Sequence, residues 1–285
     1  MTPAITSEPA SSAQDHAAER DVRDLPNALV ALDDILARCE GRPLALFLDY
    51  DGTLTPIVDD PEQALLSEGM RAVVSDLAEE CSVALVSGRD LQKLKSLAGL
   101  QHVTHAGSHG FDIETADGRT VAHEGAMADL PALDRAERQL RQRLSGIAGA
   151  IVERKRFAIA VHFRQVAPQK VDRVQTVAKE VLAEQEGLRA KPGKMVVELQ
   201  PDVDWDKGRA VLWLLEQMGA AGSASPLYVG DDVTDEDAFR ALKGQGIGVL
   251  VRDDQPRASA ADYVLDDVDE VRRFLEVLTA RLSQG

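Results

Sequence analysis

The sequence predicts an α/β fold: a doubly wound, Rossmann-like parallel sheet interrupted by an inserted α+β domain. Three observations predict it. Short apolar runs such as "LALFL", "SVALV", "PLYVG" and "GIGVLV" are bounded by turn residues and read as strands buried on both faces. Amphipathic helical stretches separate them, the alternation that builds parallel strands and crossover helices. Between about Leu130 and Gln200 this rhythm gives way to another, then returns.

Taken in order, the opening "MTPAITSEPASSAQDHAAERD" is acidic and rich in Ala, Ser and Pro, so residues 1–24 are expected to form a disordered tail. In the first core segment, 25–129, Leu44 starts a buried strand and Ser67 is placed to cap a helix through "EGMRAVVSDLAEE". "SVALVSG" is the next strand, Asp90 opens the helix "LQKLKSLAG", and "HVTHAG" is a third strand. Asp117-Gly118 in "SHGFDIETADGRTVAHEG" marks a hairpin. The insert, 130–200, holds a charged helix (Leu130 to Leu144), strands at Ile151 to Lys155 and Phe157 to Arg164, and a helix from Pro168 to Gln185. Strands around Leu188 and at Met195 to Leu199 complete it. The second core segment, 201–285, resumes with the helix "KGRAVLWLLEQMG", the strand "PLYVG" and the helix "TDEDAFRALKG", which Thr234 can cap. The strand "GIGVLV" and an amphipathic helix near "VDEVRRFLEVLTARL" follow.

With 285 residues and 44% hydrophobic content the chain can fill a core, and with aromatics at 4% that core is built from Ala, Val and Leu. A formal net charge of −16 argues against nucleic acid or an anionic membrane as main partner, and an anionic substrate would need local positive charge. No apolar run approaches the roughly 18 residues of a membrane span, and the N-terminus lacks a basic-then-apolar signal pattern. Cys39 and Cys81 have no metal-like or redox spacing, which points to a reducing, cytoplasmic home and to small buried hydrophobes.

The chemistry begins where "LALFLDYDGTLTP" ends a buried strand in two carboxylates, Asp49 and Asp51, which strand alternation places on one face. Such a pair needs water, hydrogen bonds or a cation, and a solvated Asp51-Gly52 turn is the competing reading. A second acid cluster, "YVGDDVTDEDAF", also ends a strand. Asp235, Glu236 and Asp237 suit the first turn of a helix, leaving Asp231 and Asp232 at a carboxyl sheet edge, where open α/β sheets gather ligands. Oxygen donors with no nearby His or Cys favour magnesium over zinc. A carboxylate beside Mg²⁺ stays ionised and can attack phosphorus to give an aspartyl-phosphate, the role of Asp49. Asp51 can protonate the leaving alcohol and later deprotonate water. Ser87 and the N–H groups after it in "ALVSGRD" form a phosphate cradle, the competing reading being a strand-end turn. Lys207 in "DWDKG" begins a helix, where its charge does not help the helix, so it is available to a phosphate; a solvated lysine is the alternative.

The segments "DYDGTL", "SGR", "DKG" and "GDDVTDED" together resemble the four motifs of the haloacid dehalogenase superfamily of phosphatases. More narrowly, "AGSHGF", "VERKRFAIAVHFR", "GKMVVELQP" and "GDDVTDEDAF" resemble the trehalose-6-phosphate phosphatase family, over roughly Leu44 to Leu250. The resemblance implies a magnesium-dependent hydrolase releasing phosphate from trehalose 6-phosphate in trehalose biosynthesis, functionally linked to a trehalose-6-phosphate synthase. It implies Asp49 as nucleophile, Asp51 as acid/base, and Ser87 and Lys207 on the phosphate. The metal would take Asp49, the Asp51 carbonyl and Asp231, with Asp235 orienting one of its waters. The insert would be the mobile cap. Gln200 departs from the family pattern, which usually has arginine there, at the expected cap hinge.

The insert strands can be read independently. Glu153 and Lys155 share a face, as do His162 and Arg164, and Lys194 and Glu198, opposite the apolar residues. Mixed acids and bases on one face suit sugar hydroxyls, which donate and accept, although such a face can simply be solvated. The resemblance places Glu153, Lys155, Arg164, Lys194 and Glu198 against the sugar, and His162 is expected to be packed. His109, between Gly107 and Gly110, is expected to face the cleft, with a plain turn as alternative. Arg89 is expected to touch substrate or pair with an acid. Three other functions share this pattern: another sugar-phosphate phosphatase of the superfamily, a catalytically silent regulatory partner of a sugar-phosphate synthase, and a phosphotransferase or mutase.

Overall fold

The structure, a computed structural model, describes residues 19–284 apart from 40, 59, 194, 254 and 255. The core opens with β1 (Arg20–Asp21), α1 (Leu32–Cys39), β2 (Leu44–Leu48), α2 (Glu68–Glu80), β3 (Ser82–Val86) and α3 (Leu91–Ala98). β4 (Thr104–Gly107), the hairpin β5 (Asp112–Glu114) and β6 (Thr120–Ala122), and α4 (Glu124–Ala128) lead to the cap. The cap comprises α5 (Leu130–Leu144), β7 (Ile151–Lys155), β8 (Ala158–His162), α6 (Pro168–Ala183), β9 (Leu188–Gly193) and β10 (Val196–Pro201). The chain returns through α7 (Lys207–Gln217), β11 (Ser225–Gly230), α8 (Glu236–Ala241), β12 (Ile247–Val251), β13 (Ala258–Ser259), β14 (Tyr263–Leu265) and α9 (Val268–Leu282).

The main sheet runs β14-β12-β11-β2-β3-β4-β5-β6. It is parallel from β14 to β4, and the β5–β6 hairpin adds two antiparallel strands at one edge. β2 shows why the run is apolar throughout. Leu44, Leu46 and Leu48 pack on one side with residues of α1, α2, α3 and α9, while Ala45 and Phe47 pack on the other with α7 and α8. Each buried Leu or Phe contributes about 1.5–3 kcal/mol, so polar substitution on either face is costly. The cap sheet, β7-β8-β10-β9, is antiparallel, with one face covered by α5 and α6 through Ile159, Val161 and Leu199.

Several expectations need correction. Residues 1–18 of the expected tail lie outside the described residues. Residues 19–24 are not tail-like, because β1 pairs antiparallel with β13 and Val22 is buried in the core. The helix at "TDEDAF" is not capped by Thr234: a 3-10 turn, Val233–Asp235, precedes α8, and the Asp232 N–H is taken by the Asp235 carboxylate at 2.9 Å. β8 ends at His162, so Arg164 is an exposed turn residue and not a strand neighbour of His162. α4 and the short strands β13 and β14 carry too few periodic positions to stand out in the sequence, whereas α1, with Leu32, Ile35, Leu36 and Cys39 at helical spacing, carried the signal and was overlooked.

Candidate active site

β2 and β11 are adjacent parallel strands and end at one edge, where the Asp49 N–H donates to the Val229 carbonyl at 2.9 Å. Asp49 and Asp231 therefore leave neighbouring strands side by side. α7 starts at the same edge, its N-terminus capped by the Asp206 carboxylate on the Arg209 N–H at 2.8 Å. Its first residue, Lys207, is 3% exposed and turns its ammonium onto Asp49 Oδ1 at 2.7 Å and Asp235 Oδ1 at 2.6 Å. The Tyr228 hydroxyl also donates to Asp235 Oδ1, at 2.6 Å, and the N–H groups of Asp231 and Asp232 donate to Oδ2 at 3.1 and 2.9 Å. Asp235 is thus held rigidly through both oxygens. Asp231 accepts from the Thr53 hydroxyl at 3.3 Å, and Gly52 (φ +82°) lies so close that a Cβ there would sit 2.1 Å from Asp231 Oδ2. Only glycine satisfies both that backbone and that approach.

Carboxylate oxygens of Asp49, Asp231 and Asp235 lie within 4.8 Å of one another. Burial pushes the Asp49 carboxyl well up, Lys207 opposes this, and Asp235 and Asp231 add to it. Asp231 is pushed up to about 7, by burial first and then by Asp235. The two carboxylates on Lys207 outweigh the effect of its own burial and hold its pKa above the usual lysine range, so it remains an ammonium. Three acids against one buried cation leave an excess of negative charge among oxygen-only donors, an arrangement that suits a hard divalent cation.

Asp51 departs from the strand-alternation expectation. β2 ends at Leu48, and the turn at Gly52 swings the Asp51 carboxylate away from the cluster onto Arg89, with Nε on Oδ2 at 2.6 Å and Nη2 on Oδ1 at 2.5 Å. Of the alternatives for Arg89, the structure thus has the acid pair; its guanidinium also lies over the Tyr50 ring. Ser87 is 1% exposed at the end of β3, and its hydroxyl accepts from the Arg89 N–H at 3.2 Å. His109 lies in a run of left-handed residues, Ser108, His109 and Gly110 at φ +51°, +57° and +90°, anchored by its N–H to the Ser87 carbonyl at 2.8 Å. Its ring abuts Gly88, and burial, with the charges of Lys191, Lys207 and Lys155, pushes its pKa well down, so it is neutral. A cleft of about 420 Å³ opens beside Lys207, with His109, Arg189, Lys191, Thr234 and Asp237 among its walls. A larger cavity of about 560 Å³ lies at the opposite, amino ends of β2 to β4, away from these groups.

The chain matches the family model described as trehalose-phosphatase over residues 47–269. It is 41% identical over 271 residues to the trehalose-phosphate phosphatase of Mycobacterium ulcerans (strain Agy99), covering 94% of this chain and 69% of that one. The chain belongs to the trehalose-phosphatase family. A solved trehalose-6-phosphate phosphatase related protein superposes with TM-score 0.72 at 26% identity, over 85% of this chain and 99% of the other. A haloacid dehalogenase-like hydrolase from Bacteroides thetaiotaomicron shares the fold, with TM-score 0.60 at 16% identity over 83% and 99% of the two chains.

The cap sheet turns its polar face to the core. Lys155 and Glu198 pair at 3.1 Å and stand against Gly88, Ser108 and His109. Glu153 is bonded to His162 Nε2 at 2.8 Å; contrary to expectation His162 is partly exposed and not packed away. Lys194 lies outside the described residues. Sequence reading missed Tyr228, which reads as one more strand residue, and Lys191, which strand register places opposite Glu198. It also missed Arg189, opposite Gln200, whose amide oxygen, turned to it, accepts from Nη2 and Nε at 3.0 and 2.9 Å. The alternation in "LRAK" was the available signal for both. The Ser108 hydroxyl is buried without a hydrogen-bond partner among the described residues, beside Lys155 and Glu198. Among those residues no helix is long and apolar enough to cross a membrane.

Proposed function

We propose that the chain hydrolyses trehalose 6-phosphate to trehalose and phosphate through an aspartyl-phosphate on Asp49, with Mg²⁺, in the cytoplasm. The observation that carries this is the convergence of Asp49, Asp231, Asp235 and Lys207 on one buried sheet edge. Mg²⁺ held by Asp49, the Asp51 carbonyl and Asp231, with Asp235 orienting one of its waters, would neutralise phosphoryl charge. Lys207 occupies Asp49 Oδ1, leaving the second oxygen to attack phosphorus as the bond to the sugar oxygen breaks. Asp51, rotated off Arg89, gives its proton to that oxygen. It then takes a proton from water, whose oxygen attacks phosphorus, releasing phosphate and restoring the Asp49 carboxylate. Ser87, the N–H groups beyond it and Lys207 hold the phosphate. Glu153, Lys155, Arg164, Lys194 and Glu198 of the cap, with His109 and Arg89, hold the sugar. The substrate is what a trehalose-6-phosphate synthase would supply, so the chain would work after one.

The test is Mg²⁺-dependent phosphate release from trehalose 6-phosphate beside sucrose, glucose and mannose phosphates. Preference for trehalose 6-phosphate is expected; equal or better turnover of another sugar phosphate overturns the substrate assignment. Sugar-phosphate binding with no release would instead favour a silent regulatory partner, against which intact Asp49, Asp51, Lys207 and Asp231 speak.

The metal assignment has a pH signature. An unfolded Asp231 loses its proton near 3.8 and the folded one near about 7, so the metal-free folded state keeps a proton the unfolded chain has released. That carboxyl therefore destabilises the metal-free protein increasingly as pH rises from about 4 to about 7, and constantly above. Mg²⁺ competes for the ionised form, so the Tm gain on adding it is expected to be larger at about pH 7.5 than at about pH 5. Equal gains in differential scanning fluorimetry would remove Asp231 from the metal site.

A further inference from the structure

The β7–β8 turn reaches out of the cap and docks on the core. The Arg156 N–H donates to Asp90 Oδ2 at 3.2 Å, and its Nη1 donates to Asp112 Oδ1 at 2.6 Å. Nη2 meets Met127 Sδ at 3.6 Å, and the guanidinium stands 5.1 Å from the Phe157 ring centre. Phe157 is 0% exposed and packs on Phe111, ring centroids 5.8 Å apart, in an apolar cluster that also holds Ala126 and is flanked by Trp205 and Val203. The side chain of Asp112 is 5% exposed and that of Arg156 40%, so Arg156 is the charged partner that reaches this buried acid, while its own far side stays in water.

The partners are placed at the two loops that shape the candidate site. Asp90 caps α3 directly after the Ser87–Arg89 loop, accepting from the Gln92 N–H at 3.1 Å. Asp112 opens β5 just beyond the left-handed run carrying His109. Lys155, the residue before Arg156, lies with Glu198 against Gly88 and His109. Docking of this turn therefore fixes where Lys155 stands above the phosphate loop. A single turn thus joins the sugar-facing sheet to both core loops.

We propose that Arg156, bonded to Asp112 and backed by Phe157, is a positioning residue that seats the cap and sets Lys155 and Glu198 over the sugar end of the substrate. This rests on the reading of the chain as a sugar-phosphate phosphatase. Arg156 itself touches neither phosphate nor metal donors, so it governs sugar capture and not phosphoryl chemistry.

The test compares the wild type with Arg156→Ala, Arg156→Lys and Asp112→Asn on trehalose 6-phosphate and on p-nitrophenyl phosphate, which has no sugar for the cap to hold. Arg156→Ala is expected to raise KM for trehalose 6-phosphate about tenfold, with p-nitrophenyl phosphate turnover changed less than about twofold. Arg156→Lys should recover part of the KM. Asp112→Asn should reproduce the rise, and the double variant should add little to either single one. A second readout needs no turnover. The chain has two tryptophans, and in a Trp213→Phe background acrylamide quenching of Trp205 should increase on Arg156→Ala, because Phe157 withdraws from the cluster. Unchanged KM and unchanged quenching overturn the proposal. Equal losses on both substrates with a lowered Tm also overturn it, since they assign Arg156 to the fold alone. A wild type active on p-nitrophenyl phosphate but not on trehalose 6-phosphate defeats the substrate reading instead, and the quenching result then decides the latch.

Discussion

Asp49→Asn is expected to lower phosphate release from trehalose 6-phosphate at least about 10³-fold while leaving the protein folded. The amide keeps the size of the side chain, and its oxygen can still accept from Lys207, so the geometry at 2.7 Å need not change. What disappears is the anionic oxygen that would attack phosphorus. The substitution also removes one negative charge from a buried cluster in which burial and neighbouring carboxylates already push the Asp49 carboxyl up. Metal-free Asp49→Asn should therefore melt no lower than the wild type. Phosphate release and a thermal melt check the two halves separately. Activity within about tenfold of wild type would remove Asp49 as nucleophile, because loss of a covalent nucleophile costs far more than that.

Lys207→Ala is expected to abolish turnover and, unlike Asp49→Asn, to cost about 3–5 kcal/mol of stability, the usual result of stripping a buried ion pair of one partner. Asp49 and Asp235 would both lose their shared cation, and each is almost fully buried. Lys207 is held above its ordinary 10.5. Its own charge persists below about pH 10.5, so across neutral pH the deficit is set by the buried acids it leaves behind. Asp49 and Asp231 are pushed up and cost more as they ionise, so the deficit should grow as pH rises through neutrality. Denaturant melts on either side of neutral pH check this. A loss under about 1 kcal/mol would mean that the cluster neutralises itself by taking up protons.

The sequence made the core unusually legible because parallel strands covered on both faces must be apolar at every position, as "LALFL", "SVALV" and "PLYVG" are. The cap helix from Leu130 to Leu144 and the strand from Ile151 to Lys155 agree with the sequence reading, since their periodicities are strong. Asp49, Asp231 and Lys207 could be associated because each sits at an element end, and element ends of a doubly wound sheet converge; Asp235 reads as a first-turn helix acid and joined them only through the family resemblance. The orientation of Asp51 was not legible: period-two alternation holds only within a strand, and the strand stops before Asp49. Nor was the Glu198–Lys191 pairing, which depends on strand register across a connection the sequence leaves unspecified. Val22 was hidden by a polar composition that says nothing about one well-placed apolar anchor.

The placement of the cap within the core has a kinetic consequence. β2, the strand that leads to Asp49, is flanked by β3 on one side and by β11, beyond the cap, on the other. Lys207 lies 158 residues after Asp49. During synthesis the first half can pair β2 with β3, and β3 with β4, early, but the other edge of β2 stays open until the whole cap and α7 have been made. Closing so long a loop slows folding more than it lowers final stability, and an open apolar strand edge invites association in the interval. The reactive constellation is thus assembled last, by the step that completes the sheet, so a nascent chain carries the acid before it carries the lysine that tames it.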